Sequence, residues 1–412
     1  MKNNHTPEIR FPGYIGDWEE RKIGEFLTES RISGTNGLEA KKLTVKLWGK
    51  GVVPKNEIYQ GSEATKYYIR KAGQFIYGKL DFLHQAFGII PDKLDGYEST
   101  LDSPAFDIAE NLNSSFFLEH VSRKQFYLYQ GTIANGSRKA KRIHSETFFE
   151  MPLIVPTMEE QKKIGDFFEK IDQTIALHQQ ELTTLKQTKQ GFLQKMFPKE
   201  GESVPEVRFP GFTGDWKERK LINNIIEKVL DFRGKSPAKF GMRWGNSGYL
   251  VLSALNVKNG YIDKQVEAKY GDQTLFERWM GKERLEKGDV VFTTEAPLGN
   301  VAQVPDDNGY ILNQRAVAFK TSTEKTDNNF LAQLLRSPLF QTKLKANASG
   351  GTAKGIGMKE FAKMSATIPV SVEEQIKIGN FFKQLDDTIS LQQRELDALK
   401  ETKKAFLQKM FV

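Results

Sequence analysis

The chain contains a long internal repeat whose two copies are not adjacent. Residues 159–168 (EEQKKIGDFF) return at 373–382 (EEQIKIGNFF), and the hexapeptide FLQKMF at 192–197 returns unchanged at 406–411, both at an offset of 214. Two similar blocks thus alternate with two long segments that are mostly dissimilar. Such a duplication constrains the architecture before any local assignment, because each copy is expected to form the same structural unit.

A second, shorter repeat precedes each dissimilar segment. The sequence EIRFPG at 8–13 returns as EVRFPG at 206–211, and both copies are followed by Gly-Asp-Trp. A chain of 412 residues also exceeds a usual single core. We therefore predict four parts: a first domain at 1–155 with its repeat motif at 7–22, a long helix at 156–197, a second domain at 198–368 with its motif at 205–220, and a second long helix at 369–412.

The composition narrows the classes of function. The formal charge of +8 and the pI of about 9.2 favour a polyanionic partner. The absence of cysteine excludes disulfides, thiolate catalysis and cysteine-ligated zinc. The first ten residues are polar, and no apolar run reaches the roughly 20 residues that cross a bilayer. We expect a soluble, cytoplasmic protein without a membrane partner.

The long repeat predicts a helix. No proline occurs from Glu159 to Phe197. Thr157 and Glu160 have the spacing of a capping box, and Ser371 and Glu374 repeat it. At about 1.5 Å per residue, some 40 residues give a helix of roughly 60 Å.

Apolar residues in both copies follow alternating steps of four and three. A seven-residue period over about five heptads predicts a coiled-coil seam, and a compact domain between the helices favours antiparallel packing. Polar residues interrupt the seam at equivalent places, and we expect these to be solvated or to fix the register. They are His178 with Gln392 and Lys189 with Lys403. The predicted seam residues are Ile164, Phe168, Ile171, Ile175, Leu182, Leu185, Ile378, Phe382, Leu385, Ile389, Leu396 and Leu399.

The two dissimilar segments share a frame. Their later halves align without gaps at an offset of 213, from Phe117 with Phe330 to Pro156 with Pro369. Both contain short strand-like runs punctuated by turn signals such as Asn259-Gly260. The predicted fold class is therefore α+β: two similar mixed domains with different surfaces, separated by an antiparallel coiled coil and related by a pseudo-two-fold.

Cations cluster in one loop of the first domain. Four of the five residues from Arg138 to Arg142 are basic, which suits phosphate or guanine contact, although a solvated basic loop remains an equal alternative. In the second domain the corresponding loop is rich in glycine and lacks the spacing of a phosphate-binding P-loop. The DNA-contact candidates, chosen by chemistry, are Arg138, Lys139, Lys141, Arg142, Lys258, Arg315 and Lys354.

No catalytic motif is found in the sequence. The G-x-S-x-G and H-E-x-x-H patterns are missing, as is the Asn-Pro-Pro-aromatic signature of a methyltransferase pocket, and the histidines are scattered. We expect no catalytic residue, no metal site and no cofactor, and interpret the chain as a binding protein.

Some apolar residues of the long helices lie off the seam. Because a two-helix seam buries only one face of each helix, these residues are expected to pack on the adjoining domains or to bind a partner. The candidate docking residues are Phe167, Leu177, Leu193, Phe381, Leu391 and Leu407.

Two variable domains alternating with two near-identical helices resemble the DNA-specificity subunit of type I restriction–modification systems, a host-defence function. Diagnostic stretches are Ile154-Val155-Pro156 followed by 159–164, Ile368-Pro369 followed by 373–378, and LSALNV at 252–257. The resemblance implies two target-recognition domains, each of which reads half of a bipartite asymmetric DNA sequence. It also implies that the helix pair sets the spacer and docks two methyltransferase subunits, which supply adenine methylation, and that restriction subunits can join. The alternative is a coiled-coil scaffold whose two end domains bind proteins.

Overall fold

The computed structural model of the chain describes residues 5–56, 61–133, 142–351 and 353–412. It divides into two compact units, the first formed by Met1–Gln179 with Arg394–Val412 and the second by Gln180–Gln393. The unit boundaries therefore lie within the long helices rather than at their ends. Each unit contains one variable segment, the first part of one helix and the last part of the other.

The first unit begins with a short strand and ends its variable segment with the start of a long helix. Its strands are β1 (Glu19–Lys22), β2 (Leu27–Ser30), β3 (Ser33–Asn36), β4 (Leu43–Val45), β5 (Val52–Pro54), β6 (Lys66–Ile69), β7 (Phe75–Tyr77), β8 (Phe87–Ile89), β9 (Glu98–Ser99), β10 (Ala105–Ile108) and β11 (Pro152–Val155). Its helices are α1 (Ser114–Ser122), α2 (Lys124–Ile133), α3 (Ser145–Phe149) and α4 (Met158–Lys195), the last of which continues into the second unit.

The second unit repeats this plan with different lengths and insertions. Its strands are β12 (Lys217–Lys220), β13 (Lys228–Leu230), β14 (Tyr249–Leu252), β15 (Tyr270–Gly271), β16 (Val290–Thr293), β17 (Val301–Gln303), β18 (Tyr310–Leu312), β19 (Ala316–Lys320) and β20 (Ser365–Ile368). Its helices are α5 (Gln273–Met280), α6 (Asn328–Arg336), α7 (Pro338–Ala346), α8 (Met358–Phe361) and α9 (Val372–Lys409), the last of which continues into the first unit.

The sheets confirm that the two variable segments share one fold. The main sheet of the first unit has the order β2-β10-β7-β8, and that of the second has the equivalent order β13-β19-β16-β17. In both units a separate ladder pairs the strand after the short repeat with the strand before the long helix, β1 with β11 and β12 with β20. The remaining strands pair differently in the two units. In the second unit β14 pairs with β15 and β18, whereas in the first unit β3, β6 and β9 form a sheet.

The predicted alignment of the two segments is wrong by one residue in its first part. The side chain of Asn113 caps α1 through the Phe116 N–H, and that of Asp327 caps α6 through the Phe330 N–H. Phe116 rather than Phe117 is thus equivalent to Phe330, at an offset of 214. The offset of 213 applies only to the later elements, such as β11 and β20, because α2 has ten residues and α7 has nine.

Both long helices are continuous over 38 residues. All twelve predicted seam residues are at least half-buried, and Ile164, Phe168, Leu182, Ile378, Phe382 and Leu396 are fully buried. Phe167 of α4 contacts Phe406 of α9 within the first unit, with ring centroids 5.1 Å apart, and Phe192 contacts Phe381 at the same distance within the second. In each unit the start of one helix faces the end of the other, which confirms the antiparallel arrangement.

The predicted capping boxes form only in part. The Ser371 hydroxyl accepts a hydrogen bond from the Glu374 N–H at 3.2 Å, as expected of an N-cap. The Glu374 carboxylate does not complete the box, because it accepts two hydrogen bonds from Arg208 of the short repeat at 2.6 and 2.8 Å. In the first unit Arg10 binds Glu160 in the same bidentate way, at 2.7 Å for both bonds. The short repeats therefore anchor the helix starts.

The core of each unit is closed by the end of a long helix. In the first unit Phe411 stacks on Phe116 with ring centroids 5.3 Å apart, and in the second Phe197 stacks on Phe330 at 5.7 Å. Both Phe411 and Phe197 are buried. Because apolar burial is the main favourable term in folding, each unit depends on a residue from the C-terminal end of a long helix.

Candidate nucleic-acid interface

One hairpin loop occupies the same place in both main sheets. Residues 78–86 connect β7 to β8, and residues 294–300 connect β16 to β17. In the first unit the Lys79 carbonyl accepts a hydrogen bond from the Ile143 N–H at 3.0 Å, and in the second the Thr294 carbonyl accepts one from the Ile356 N–H at 2.9 Å. The loop is thereby joined in each unit to the segment in which the sequence placed basic residues.

Arg315 lies beside this hairpin loop in the second unit. Its carbonyl accepts a hydrogen bond from the Thr294 N–H at 2.8 Å. Its guanidinium is exposed and lies 3.8 Å from a carboxylate oxygen of Glu295, so the pair is loose. Arg315 has a φ of +66°, and Ala296 and Glu267 have φ values of +46° and +44°. Left-handed backbone at a non-glycine residue costs roughly 1–3 kcal/mol and often occurs at functional sites.

These three strained residues line one surface cavity of about 180 Å³. Amide, hydroxyl and charged side chains surround it, and Asn313 and Gln314 continue the turn that carries Arg315. Such groups can read the edges of DNA bases through hydrogen bonds, because arginine suits guanine and amides suit adenine. The full lining consists of Val251, Ser253, Ala254, Leu255, Glu267, Lys269, Ala296, Asn313, Gln314 and Arg315.

Lys354 and Lys258 flank the same hairpin loop without lining the cavity. Lys354 is exposed and precedes Gly355, which pairs with Glu295. A Cβ at Gly355 would lie 3.2 Å from the Glu295 side chain, so the close approach of the two segments favours glycine. Lys258 is half-buried and follows Val257, whose carbonyl accepts a hydrogen bond from Asn300 at 3.0 Å. The structure thus brings all three candidates of the second unit to one loop.

Of the four DNA-contact residues predicted in the first unit, only Arg142 belongs to the described residues. Arg142 is half-exposed and forms an ion pair of 2.8 Å with Asp102, so part of its charge is already balanced. Three other predicted contact residues, Arg138, Lys139 and Lys141, lie outside the described residues.

Sequence reasoning missed most of the cavity. Asn313 and Gln314 precede Arg315 directly, and the run of three long polar side chains after the buried strand β18 was an available signal. Glu267, Lys269 and Ser253 carry no such signal, since they reach the cavity from other parts of the chain.

Only two of the six predicted docking residues are exposed. Leu177 is 55% exposed and Leu391 is 48% exposed, and the two occupy equivalent positions on α4 and α9. The other four are partly buried against their own unit, so internal packing accounts for their apolar surface. Phe167 and Leu407 pack on the core of the first unit, and Leu193 and Phe381 pack on that of the second.

The polar seam residues Lys189 and Lys403 hold buried ion pairs rather than solvated positions. In the second unit Lys189 binds Asp386, which also accepts a hydrogen bond of 2.8 Å from Arg336. Burial and the Arg336 charge lower the pKa of Lys189 to about 8. The ion pairs support the prediction that these lysines fix the helix register, because an unpaired buried charge would be costly.

The equivalent network in the first unit contains an additional carboxylate. Lys403 donates hydrogen bonds of 2.7 Å to both Glu119 and Asp172. Burial raises the pKa of Glu119 to about 7, against the attraction of Lys403. His120, next along α1, is fully enclosed, and burial together with the Arg123 charge lowers its pKa well below the usual value. His120 is therefore a neutral core residue.

Within the described ranges, no group of three or more His, Asp or Glu side chains could hold a metal ion. The same ranges contain no helix both long and apolar enough to cross a bilayer.

The duplicated fold defines a protein with two similar binding units built on a shared pair of helices. The family model described as "Type I restriction modification DNA specificity domain" matches residues 15–187 and 214–401. Since these two matches cover most of the sequence, the chain belongs to the type I restriction–modification DNA-specificity family.

Two relatives agree with this assignment. The type I restriction enzyme MjaVIII specificity subunit of Methanocaldococcus jannaschii is 23% identical over 406 residues, which are 95% of this chain and 91% of that protein. The putative MjaX specificity subunit of the same organism is 23% identical over 295 residues, which are 71% of this chain and 65% of that protein, slightly less than two thirds of its length.

Two solved structures are similar in fold over nearly the whole length. The S subunit of a type I restriction–modification system from M. genitalium has a TM-score of 0.63 at 12% identity and covers 99% of both chains. A chain from a structure of complex assembly in the type I R–M system has a TM-score of 0.50 at 16% identity, covering 98% of this chain and 99% of that one. At these identities the likeness extends to the fold alone.

Proposed function

We propose that the chain is the DNA-specificity subunit of a type I restriction–modification complex. Each unit reads one half of a bipartite, asymmetric target in double-stranded DNA. The observation that carries this proposal is that equivalent main sheets present different loops, because a common frame with unlike surfaces suits two unlike half-sites. The net charge of +8 supports a polyanionic partner.

The reading surface in each unit is the hairpin loop of the main sheet with its neighbouring segment. In the second unit this surface includes Arg315, Lys354 and the cavity beside them. Base contacts in the grooves provide sequence discrimination, whereas lysines on phosphates provide affinity. The loose pairing of Arg315 with Glu295 leaves the guanidinium available to a guanine edge.

The long helices dock two methyltransferase subunits, which restriction subunits join in the complete complex. Leu177 and Leu391 support this part of the proposal, because each long helix exposes a leucine at the same position of its repeat. Two equivalent apolar sites suit two copies of one partner. In this assignment the chain itself carries no catalytic activity, and methylation requires the partner subunits.

Exchange of one variable segment tests whether each unit recognises its half-site independently of the other. Residues 221–368 would be replaced by the corresponding segment of another family member, and the modified chain would be expressed with its methyltransferase subunits. Sequencing of methylated bases in the host should show one new half-site, with the other half-site and the spacer unchanged.

The reciprocal exchange of residues 23–155 is the matched control and should alter the opposite half-site. A change in both half-sites after either exchange would contradict independent reading. Methylation by the purified chain without its partners would contradict the non-catalytic assignment.

A further inference from the structure

Trp48 is an exposed aromatic residue in a short hairpin loop of the first unit. The loop joins β4 to β5 through residues 46–51 (KLWGKG), and the Lys46 N–H donates a hydrogen bond of 2.9 Å to the Gly51 carbonyl. The side chain of Trp48 is 57% exposed, whereas Trp18, Trp216 and Trp279 are buried. Exposure of an indole gives up much of the favourable burial that tryptophan usually contributes.

The backbone of Trp48 is held in an unfavourable conformation. Its φ of +61° lies in the left-handed region that glycine prefers, and Gly49 continues that region with a φ of +65°. Two hydrogen bonds hold this geometry, from the Trp48 N–H to the His84 carbonyl at 2.8 Å and from the Gly49 N–H to the Gln85 carbonyl at 3.0 Å. The strained backbone therefore presents the indole to solvent from a fixed position.

The loop of Trp48 adjoins the hairpin loop that we assign to DNA reading. His84 and Gln85 belong to that hairpin loop, which connects β7 to β8. The rings of Trp48 and His84 lie edge to face, with centroids 5.4 Å apart. Gln85 in turn donates a hydrogen bond of 3.0 Å to the Ser122 carbonyl at the end of α1. The indole thus extends the proposed reading surface.

The charge around Trp48 suits a nucleic acid. Lys46 and Lys50 flank it and are exposed, and neither forms an ion pair with any described residue. Residues 46–51 contain no acidic side chain. The nearby carboxylate of Asp81 lies 3.4 Å from the His84 ring and leaves both lysines free to bind phosphates.

We propose that Trp48 is a specificity-determining residue that stacks on a base of the first half-site, while Lys46 and Lys50 bind the flanking phosphates. This inference rests on the function proposed above. A rigid indole can stack on an unpaired base or enter between two base pairs, and it thereby favours steps that unstack easily. Among the described residues of the other unit no tryptophan is exposed, so this stacking contact would act on one half-site only.

Trp48→Gly provides a test that does not rely on a destabilised protein. Glycine adopts a φ of +61° without strain, so the variant should unfold at the same temperature or a higher one. With the chain assembled with its methyltransferase subunits, we expect the affinity for a target duplex to fall about 10- to 100-fold, as for the loss of one stacking contact. Trp48→Phe should retain most of the affinity, since it keeps a flat aromatic ring.

Tyr129→Ala is the matched control. Tyr129 is 64% exposed on α2, outside the two loops, and its removal should leave the affinity unchanged. A duplex carrying 2-aminopurine at successive positions of the first half-site should change in fluorescence at one step when the wild-type complex binds. The Trp48→Gly complex should give no such change at that step.

The inference is overturned if Trp48→Gly binds as the wild type does and gives the same fluorescence. It is also overturned if the variant loses its methyltransferase subunits, because Trp48 would then contact protein. Failure of the wild-type complex to prefer its methylated motif would instead refute the proposed function, so the two failures are distinguishable.

Discussion

At the scale of single residues, Arg315 combines exposed charge with a strained backbone. Strain of roughly 1–3 kcal/mol persists only where the surrounding structure enforces it. Here the Thr294 N–H binds the Arg315 carbonyl and fixes the turn. The arginine therefore begins from a defined position, which reduces the entropy lost when it binds a base.

We expect Arg315→Ala to weaken discrimination at one position of the second half-site by about 1–3 kcal/mol. The measurement is the ratio of affinities of the assembled complex for the cognate duplex and for duplexes changed at single positions of that half-site. Arg278→Ala, an exposed arginine on α5 of the same unit, serves as the control. Equal loss of affinity for cognate and altered duplexes would indicate a phosphate contact instead.

Burial of Glu119 makes the stability of the first unit depend on pH. Its folded-state pKa of about 7 lies above its usual value of 4.5, so the protonated form favours folding. Its stabilising contribution is complete below pH 4.5 and is lost as the pH rises through about 7. The cost of ionising it in the folded unit is on the order of 3 kcal/mol.

Glu119→Gln should therefore leave the thermal midpoint nearly unchanged at pH 5 and raise it by several degrees at pH 8. Asp172→Asn is a control of opposite sign, because the half-exposed Asp172 pairs with the same lysine and its loss should lower the midpoint at pH 8. Thermal unfolding of the two variants at both pH values provides the comparison. A lower midpoint for Glu119→Gln at pH 8 would mean that its pairing with Lys403 outweighs the cost of burial.

Residue chemistry alone selected Arg315 and Lys354 but could not select Glu267 or Ala296. A basic side chain in a loop is visible in a sequence, whereas a positive φ at glutamate or alanine arises only from tertiary constraints. For the same reason no pattern in the sequence indicates that Glu119 faces Lys403, 284 residues away.

At the scale of elements, the heptad pattern of the long helices was sufficient to predict the seam, and the domain between the two helices predicted its antiparallel sense. The pattern could not show which off-seam residues stay exposed. Phe167 packs on Phe11, with ring centroids 5.9 Å apart, and Phe11 belongs to the short repeat near the start of the chain. The helix period contains no information about such a partner, because the contact depends on how the short repeat folds back.

We expect Leu177→Asp with Leu391→Asp to abolish copurification of the methyltransferase subunits. Both side chains are about half exposed, so a charge there should not disturb the fold, but it would be desolvated in an apolar interface. Thr188→Asp with Thr402→Asp adds the same charges eleven residues further along the same helices and should leave assembly intact. If the leucine variants assemble normally, the docking surface lies elsewhere.

At the scale of the whole molecule, each long helix passes through residues of both units without a break. The unit boundary falls between Gln179 and Gln180 in α4 and between Gln393 and Arg394 in α9, positions that are equivalent at the offset of 214. The duplication and the domain fold were thus predictable from the sequence. The division of each helix between units was not, because it depends on tertiary contacts.

Insertion of seven residues into each long helix, at the boundary between the two units, should lengthen the spacer of the DNA target. Seven residues preserve the heptad register and add about 10 Å of helix, close to three base-pair steps of about 3.4 Å. Sequencing of methylated bases should show both half-sites retained and the spacer longer by about three base pairs. The same insertion after Gly201, in an exposed turn, should leave the spacer unchanged. An unaltered motif in the helix variant would exclude the helices as the determinant of spacing.

The first unit is built from two separate stretches of the chain, and this has a consequence for its folding during biosynthesis. Its core includes Met410 and Phe411, whereas the second unit is one uninterrupted stretch from Gln180 to Gln393. The second unit can therefore fold while the chain is still being translated. The first must wait until residues 394–412 leave the ribosome, on the order of ten to fifty seconds after Gln179 is added. During that interval Phe411 does not yet cover the apolar surfaces around Trp18 and Phe116. We therefore expect chaperones to bind the first unit before translation ends.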